Sequence, residues 1–328
     1  MKYTTLGRTG ITVSRLCFGT MSFGAQADEA MSAQLFTRCR EAGINFFDCA
    51  NVYAKGKSEE ILGRLAKGCR DQLVLTSKVG FGMGDTPNDR GLSRRHILQQ
   101  IEGSLRRLCT EWLDIYFCHC EDALTPPEDT LRTMDNLVRS GKVRCVGVSN
   151  WPAWKIGRAL GTASERGLSP FQVLQPMYSL AKRIAEMELL PLAKAEGLGV
   201  IPYSPLGGGL LTGKYAGGRA VPEARLTANK MYAQRYADPR YQQITDRFTA
   251  YAQEAGVNPV TLAVAWVKAH PAVTAPIIGA RNVTQLEPSL AAGDYEMTEE
   301  QWKAIGALTP PVPVATDRDE ERSGKPGL

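Results

Sequence analysis

The sequence predicts an α/β protein, a (β/α)8 TIM barrel, on three observations. Short β-rich runs alternate with amphipathic stretches of helical length. There are eight such runs, and alternation of this kind implies a parallel sheet. No linker-like gap divides the 328 residues, a length somewhat above the ~250 typical of a closed barrel. A single barrel domain over residues 1–328 is therefore expected.

The elements follow in order. "LGRTGITV" reads as a short hairpin around Arg8 and Thr9, which glycines flank. The strand candidates are 15–20, 44–50, 72–79, 113–120, 143–150, 171–177, 199–205 and 274–280. Helical stretches lie between them, for instance 28–42, 93–109, 127–140, 185–196 and 259–269. In 93–109, Ile97, Ile101, Leu105 and Leu108 recur at spacings of three and four, as one helix face requires. The longest interruption, 206–240, separates the seventh and eighth strands. A loop of that length in a compact domain is expected to be functional. The charged tail, about 312–328, is expected to be mobile.

Composition narrows the function class. Apolar residues make up 43% and charged residues 22%, as in soluble globular proteins. The net charge of +5 is too small over this length to argue for a nucleic-acid surface. No apolar run approaches the ~20 residues that cross a membrane, and "MKYTTLGRTGITVSRL" lacks the apolar core of a signal peptide. The eight cysteines are scattered through apolar segments and read as reduced, buried thiols. A cytoplasmic protein of enzyme size is expected.

Barrels of this kind do their chemistry at the C-terminal ends of the strands. There the second strand offers Asp48, with Tyr53 in the next loop. The third offers Lys78, the fourth His119, the fifth Ser149 and Asn150, the sixth Gln175 and the seventh Tyr203 and Ser204. The eighth ends at Gly279 and Arg281. Each has an ordinary reading alone: Asp48 a turn cap, Tyr53 a half-buried aromatic, Lys78 a solvated charge, His119 a core imidazole. Acid, phenol, ammonium and imidazole converging on one rim is a pattern that packing does not require.

Several segments together resemble the aldo-keto reductase superfamily over nearly the whole chain. They include "FGTMSFG", "INFFDCANVYAKGKSEEILG", "LVLTSKVG", "LDIYFCHCED", "GKVRCVGVSN" and "IPYSPLGGGLLTGKY". The family's catalytic tetrad is Asp, Tyr, Lys and His, and the matching positions are Asp48, Tyr53, Lys78 and His119. The resemblance implies an NAD(P)H-dependent oxidoreductase that reduces an aldehyde or ketone to an alcohol, or runs the reverse. A free tyrosine has a pKa of ~10 and is a reluctant acid at neutral pH. A lysine cation beside the phenol is expected to lower that value. Asp48 would keep the cation from being buried unpaired. Tyr53 is then the general acid in reduction and the base in oxidation, and His119 orients the carbonyl oxygen.

The resemblance also implies a cofactor site. Ser149, Asn150 and Gln175 match positions that bind the carboxamide, and Tyr203 matches the residue that stacks on the nicotinamide. Gly19, Thr20 and Met21 lie at the barrel floor near it, beside Asp48. Ser204, Pro205, Leu206, Gly209, Leu211 and Lys214 match the strap over the pyrophosphate, where glycines let backbone N–H groups approach closely. Gly279, Arg281 and Gln285 match the adenosine end. A guanidinium there suits a 2′-phosphate, so NADPH is expected, with NADH as the alternative. After "QLE" similar proteins commonly carry an acid and then Asn, whereas this chain has Pro288 and Ser289.

Other signals are weaker. "GGLLTGKY" nearly spells a P-loop, but Tyr215 stands where a magnesium-binding hydroxyl is needed. Cys118 and Cys120 alternate with His119 along a strand and point away from it, so no metal site is expected. His96, His119 and His270 lie in unrelated units, against a metal-dependent hydrolase. The competing reading is a cofactor-binding regulatory subunit on the same scaffold, as the potassium-channel β subunits of this superfamily illustrate. Phe23, Phe81, Trp151 and Tyr232 are candidate walls of the substrate pocket. A small carbonyl or alcohol is the expected partner, with no nucleic acid and no membrane.

Overall fold

The computed structural model describes residues 1–222, 224–316 and 318. A two-stranded antiparallel hairpin, β1 (Tyr3–Thr5) and β2 (Thr12–Ser14), comes first. β1 ends just before the "LGRTGITV" stretch and β2 begins within it, and Leu6 and Ile11, joined by a backbone bond of 2.9 Å, close the loop around Arg8 and Thr9. Eight parallel strands follow: β3 (Cys17–Gly19), β4 (Phe46–Asp48), β5 (Val74–Val79), β6 (Leu113–Cys118), β7 (Val143–Ser149), β8 (Phe171–Gln175), β9 (Gly199–Val200) and β10 (Ile277–Ile278). They run side by side in chain order from β3 to β9, with β10 pairing back on β3. The seam between β9 and β10 is joined by the Thr274 and Ile277 N–H groups, which donate to the Val200 and Pro202 carbonyls at 2.8 and 2.9 Å. The result is the (β/α)8 barrel.

Helices cover the outside. They are α1 (Glu29–Glu41), α2 (Lys57–Ala66), α3 (Arg94–Arg107), α4 (Pro127–Arg139), α5 (Ala153–Arg166) and α6 (Leu189–Glu196). After them come α7 (Arg225–Ala228), α8 (Lys230–Arg235), α9 (Pro239–Glu254), α10 (Pro259–Ala269), α11 (Val283–Ala291) and α12 (Glu299–Gly306). Their ends are written in the sequence. Asp28 and Ser93 accept from the N–H groups of Met31 and His96 and cap α1 and α3. Gly167 and Gly197 close α5 and α6 in the left-handed conformation. The stretch 206–240 is less open than expected: it carries short 3-10 turns at Gly207–Thr212 and Ala216–Gly218, then α7 and α8. The expected mobility of 312–328 concerns residues that lie largely outside those described.

Strand alternation sorts the side chains. On β5, Leu75 and Val79 face the helices and join the outer core, whereas Val74 enters a second core inside the barrel. Phe46, Ile115, Phe117, Cys145 and Val173 fill that interior, and Leu6 and Val13 of the hairpin close its N-terminal end. The register then sets the layers. Phe46 pairs with Val74 and Asp48 with Thr76, while Lys78 pairs with Phe117 and Ser149 with Gln175. Counting two residues up each strand from the apolar layer therefore leads to polar side chains at the C-terminal rim. Gly147 belongs to this interior too: a Cβ there would lie 2.4 Å from the Phe117 ring.

Candidate active site

Lys78 is fully buried at the end of β5. Its ammonium donates to Asp48 Oδ2 at 2.6 Å, to the Cys49 carbonyl at 2.7 Å and to the Tyr53 hydroxyl at 3.2 Å. A protonated amine has three N–H bonds, and all three have acceptors. Burial opposes its charge, yet Asp48 and Tyr53 outweigh burial and raise the Lys78 pKa. The other oxygen of Asp48 accepts from Thr76 Oγ1 at 2.7 Å and Gln175 Nε2 at 2.9 Å. Asp48 thus joins three strands, and neither oxygen is left to water.

Tyr53 starts an unusual turn. Ala54, Lys55 and Gly56 all have positive φ, at 48°, 54° and 94°. For the two non-glycine residues this costs roughly 1–2 kcal/mol each. The turn carries the phenol back over Lys78, whose nitrogen lies 4.8 Å from the ring centre. Burial pushes the Tyr53 phenol up to about 12, and the Lys78 charge pulls it down without prevailing. This corrects the expectation of a lowered value: desolvation of a phenolate in this pocket exceeds the help from one cation that Asp48 already neutralises.

His119 completes the group. Its ring meets Tyr53 edge-on at 6.0 Å and Phe81 at 4.6 Å. Burial, then the Lys78 charge, hold its pKa well below the ordinary histidine value, so the ring is neutral near pH 7. Its Nδ1 is buried with no hydrogen-bond partner among the described residues. Of the four aromatic residues expected to wall a pocket, Phe81 alone is substantially exposed, at 43%. Phe23 packs on Phe18, Trp151 stacks edge-on against Phe171 and donates to the Cys120 carbonyl, and Tyr232 lies over Gly208. All three are buried.

The residues expected to hold a cofactor fall into two groups. Beside His119, Asn150 has a positive φ of 59° and is held at both ends of its amide. Its Nδ2 donates to the His119 carbonyl at 2.8 Å and to Ser149 Oγ at 3.1 Å, and its Oδ1 accepts from the Tyr203 hydroxyl at 2.7 Å. Ser149 Oγ in turn donates to the Gln175 carbonyl. Thr20, just after β3, ties that strand to this layer by donating its N–H to the Asp48 carbonyl at 2.9 Å. Gly19 packs so closely that a Cβ would lie 2.7 Å from Ile277, while Met21 stays exposed at the rim.

The second group is the glycine strap. Ser204 and Gly207 to Gly209 all have positive φ, and Pro205 and Leu211 are buried beneath. The N–H groups of Gly209 and Leu211 donate to the Leu206 carbonyl, so these two are engaged within the strap. Lys214 stands over Gly209, within 3.3 Å of where a Cβ would be. Burial lowers the Lys214 pKa, and the nearby Arg281 and Arg225 lower it further. Like charges crowded in this way suit an anion. Gln285 is used locally: its Oε1 accepts from the Arg281 N–H at 3.2 Å. Gly279 follows β10, and a Cβ there would lie 3.5 Å from the Gly19 carbonyl. Pro288 lies inside α11, and its carbonyl accepts from Thr261 Oγ1.

Sequence reasoning missed three residues behind the rim. Thr76 shares the inward face of β5 with Lys78, a spacing of two that would have found it. Ser58 Oγ donates to Thr20 O and Oγ1 at 2.8 and 2.9 Å. Glu59, fully buried, accepts from Ser77 Oγ and from Arg107 Nε. No residue-type pattern in the sequence marked Ser58 or Glu59.

Comparison with known proteins agrees with this fold. Residues 15–309 match the Aldo/keto reductase family. The chain is 39% identical to the uncharacterized oxidoreductase YrpG of Bacillus subtilis (strain 168), covering 94% of this chain and 96% of that one. It is 37% identical to a probable voltage-gated potassium channel subunit beta of Oryza sativa subsp. japonica, covering 97% and 99% of the two chains. A counterpart of the same description from Arabidopsis thaliana is also 37% identical, covering 98% and 96%.

Proposed function

The chain belongs to the aldo/keto reductase family, and on that premise we propose that it is an NADPH-dependent enzyme reducing an aldehyde or ketone to an alcohol. The observation that carries this reading is the buried chain from Asp48 through Lys78 to the Tyr53 hydroxyl, with the His119 ring edge-on to Tyr53 and Phe81 edge-on to His119.

A bound nicotinamide would supply the hydride for the carbonyl carbon. Tyr53 gives its proton to the carbonyl oxygen as negative charge develops there. Its phenol, held up to about 12, stays protonated at neutral pH and is available as an acid. When the proton has left, Lys78 faces the phenolate at 3.2 Å and stabilises it. Asp48 holds Lys78 in place, and solvent restores the proton. With its proton on Nε2, neutral His119 would donate a hydrogen bond to the substrate oxygen. Alcohol oxidation runs the same steps backward, with Tyr53 as base. Ser149, Asn150 and Gln175 offer amide and hydroxyl groups to a carboxamide, and Tyr203 offers a ring face. Lys214 offers charge to the pyrophosphate, and the Arg281 guanidinium at the adenosine end suits a 2′-phosphate and so favours NADPH over NADH. Phe81 gives the substrate an apolar wall.

The test is NADPH and NADH consumption with aryl aldehydes, cyclic ketones and keto-sugars, with Tyr53→Phe alongside. The expected outcome is turnover with NADPH that falls about 10²- to 10⁴-fold in the variant. Equal activity in Tyr53→Phe would end the general-acid assignment.

A second reading rests on the two plant relatives named as channel subunits. In it the chain binds the cofactor and serves a membrane partner. A native chain that binds NADPH, turns over none of the panel and co-purifies with a membrane protein would favour that reading.

A further inference from the structure

The N-terminal turn of α2 grips two barrel strands on either side of β4. Ser58 reaches the end of β3 through Thr20. Glu59 reaches β5 through Ser77, the residue next to Lys78. Glu59 is buried as a carboxylate on the helix side of the sheet, and its second oxygen accepts from Arg107 Nε at 2.7 Å. Arg107 ends α3, and its side chain lies directly under the Tyr53 turn. A Cβ on Gly56 would stand 2.9 Å from Arg107 Cδ and 3.0 Å from Nε. A Cβ on Gly103 would stand 3.0 Å from its Nη1. Two glycines thus make room for this guanidinium, and it lies against the last residue of a turn that has two non-glycine residues at positive φ.

From this we infer that Glu59 and Arg107 are positioning residues for Tyr53, acting from outside the barrel. One carboxylate is tied to the strand that carries Lys78 and to the arginine that braces the turn carrying Tyr53. The pair therefore sets the separation of phenol and ammonium, which the reaction uses. Neither residue touches the space where substrate would lie. A burial role alone does not require the link to Ser77, because replacing a buried ion pair by apolar groups is often neutral for stability. This inference rests on the reading of Tyr53 as the proton donor.

The test compares three proteins: the native chain, Glu59→Gln/Arg107→Met, and that double variant with Ala54→Gly/Lys55→Gly added. The double variant removes both charges together, so no unpaired ion is left buried. Single-turnover hydride transfer from NADPH should fall on the order of 10- to 100-fold, as displacement of a catalytic group by about 1 Å allows. Substrate KM and NADPH affinity should stay near native. The added glycines adopt positive φ without strain and should recover part of the lost rate. NMR of ring-labelled tyrosine without cofactor, with Tyr53 assigned from Tyr53→Phe, should show the Tyr53 signal and its titration displaced in the double variant and returned toward native by the glycines. A folded double variant with native rate and native Tyr53 signal would overturn the inference, as would equal losses in rate and cofactor affinity with no recovery. If the native chain turns over nothing, the functional reading fails by itself. The Tyr53 signal then decides whether the pair places the phenol.

Discussion

At the scale of the residue, the site is a set of saturated hydrogen bonds around one carboxylate. Asp48 accepts from Lys78, Thr76 and Gln175, which come from two other strands. Thr76→Val keeps the shape and removes one donor to an ionised acceptor, a bond worth about 1.5–3 kcal/mol. A lower melting temperature and a lower kcat/KM are expected together, because Asp48 also holds Lys78. A thermal melt and a turnover assay check this, and a variant native in both would contradict the role given to Thr76. The members of this set differ in how visible they are in the sequence. Asp48 and Lys78 stand out because each is a charge at the end of an apolar run. Thr76 does not, since threonine suits any strand. Arg107 is equally hidden: an arginine in the last turn of a helix is ordinary, and its contact with Gly56 depends on how α3 lies beside α2.

At the scale of the element, alternation along each strand decides what sits inside the barrel. This was legible, because eight β-rich runs alternating with helical stretches allow few other topologies. Their ends were less so: β9 and β10 are two residues each, and beyond them the pairing continues only as single bonds around Pro202 and Pro276, which carry no N–H. The stretch 206–240 read as a loop because glycine and polar residues dominate it. Its short helices depend on tertiary packing, as where Tyr232 lies on Gly208 between Arg225 and Arg235 at 5.2 and 5.1 Å. Two glycines show how context decides a substitution. Gly147→Ala would drive a methyl into Phe117 and the Val173 carbonyl, 2.4 and 2.9 Å away, and is expected to cost about 1–3 kcal/mol. Gly157→Ala, inside α5 with nothing within 4 Å, should stabilise by about 0.5–1 kcal/mol. Paired denaturant titrations check both signs.

At the scale of the whole molecule, all three histidines have pKa values lowered first by burial: His96, His119 and His270. The unfolded chain takes up these protons near pH 6.5, and the folded one resists them. Below that pH the unfolded state binds more protons, so stability falls as pH falls through 6.5 toward the folded values. Each histidine contributes a slope of at most about 1.4 kcal/mol per pH unit in that window. The melting temperature should therefore drop between pH 7.5 and 5.5, and His96→Asn should flatten the drop without touching the rim. A melting temperature independent of pH over that range would contradict it. The match to the Aldo/keto reductase family spans nearly the whole barrel, whereas its reactive centre takes up a few residues on one end.

The three filled bonds on Lys78 have one more consequence. An aldehyde admitted to this rim would meet a primary amine only ångströms away, a pairing that ordinarily condenses to an imine. Here the amine is locked as its conjugate acid, and every hydrogen on it is committed. It has no lone pair to attack with. The geometry that holds the phenol thereby also keeps such a carbonyl from condensing with this lysine.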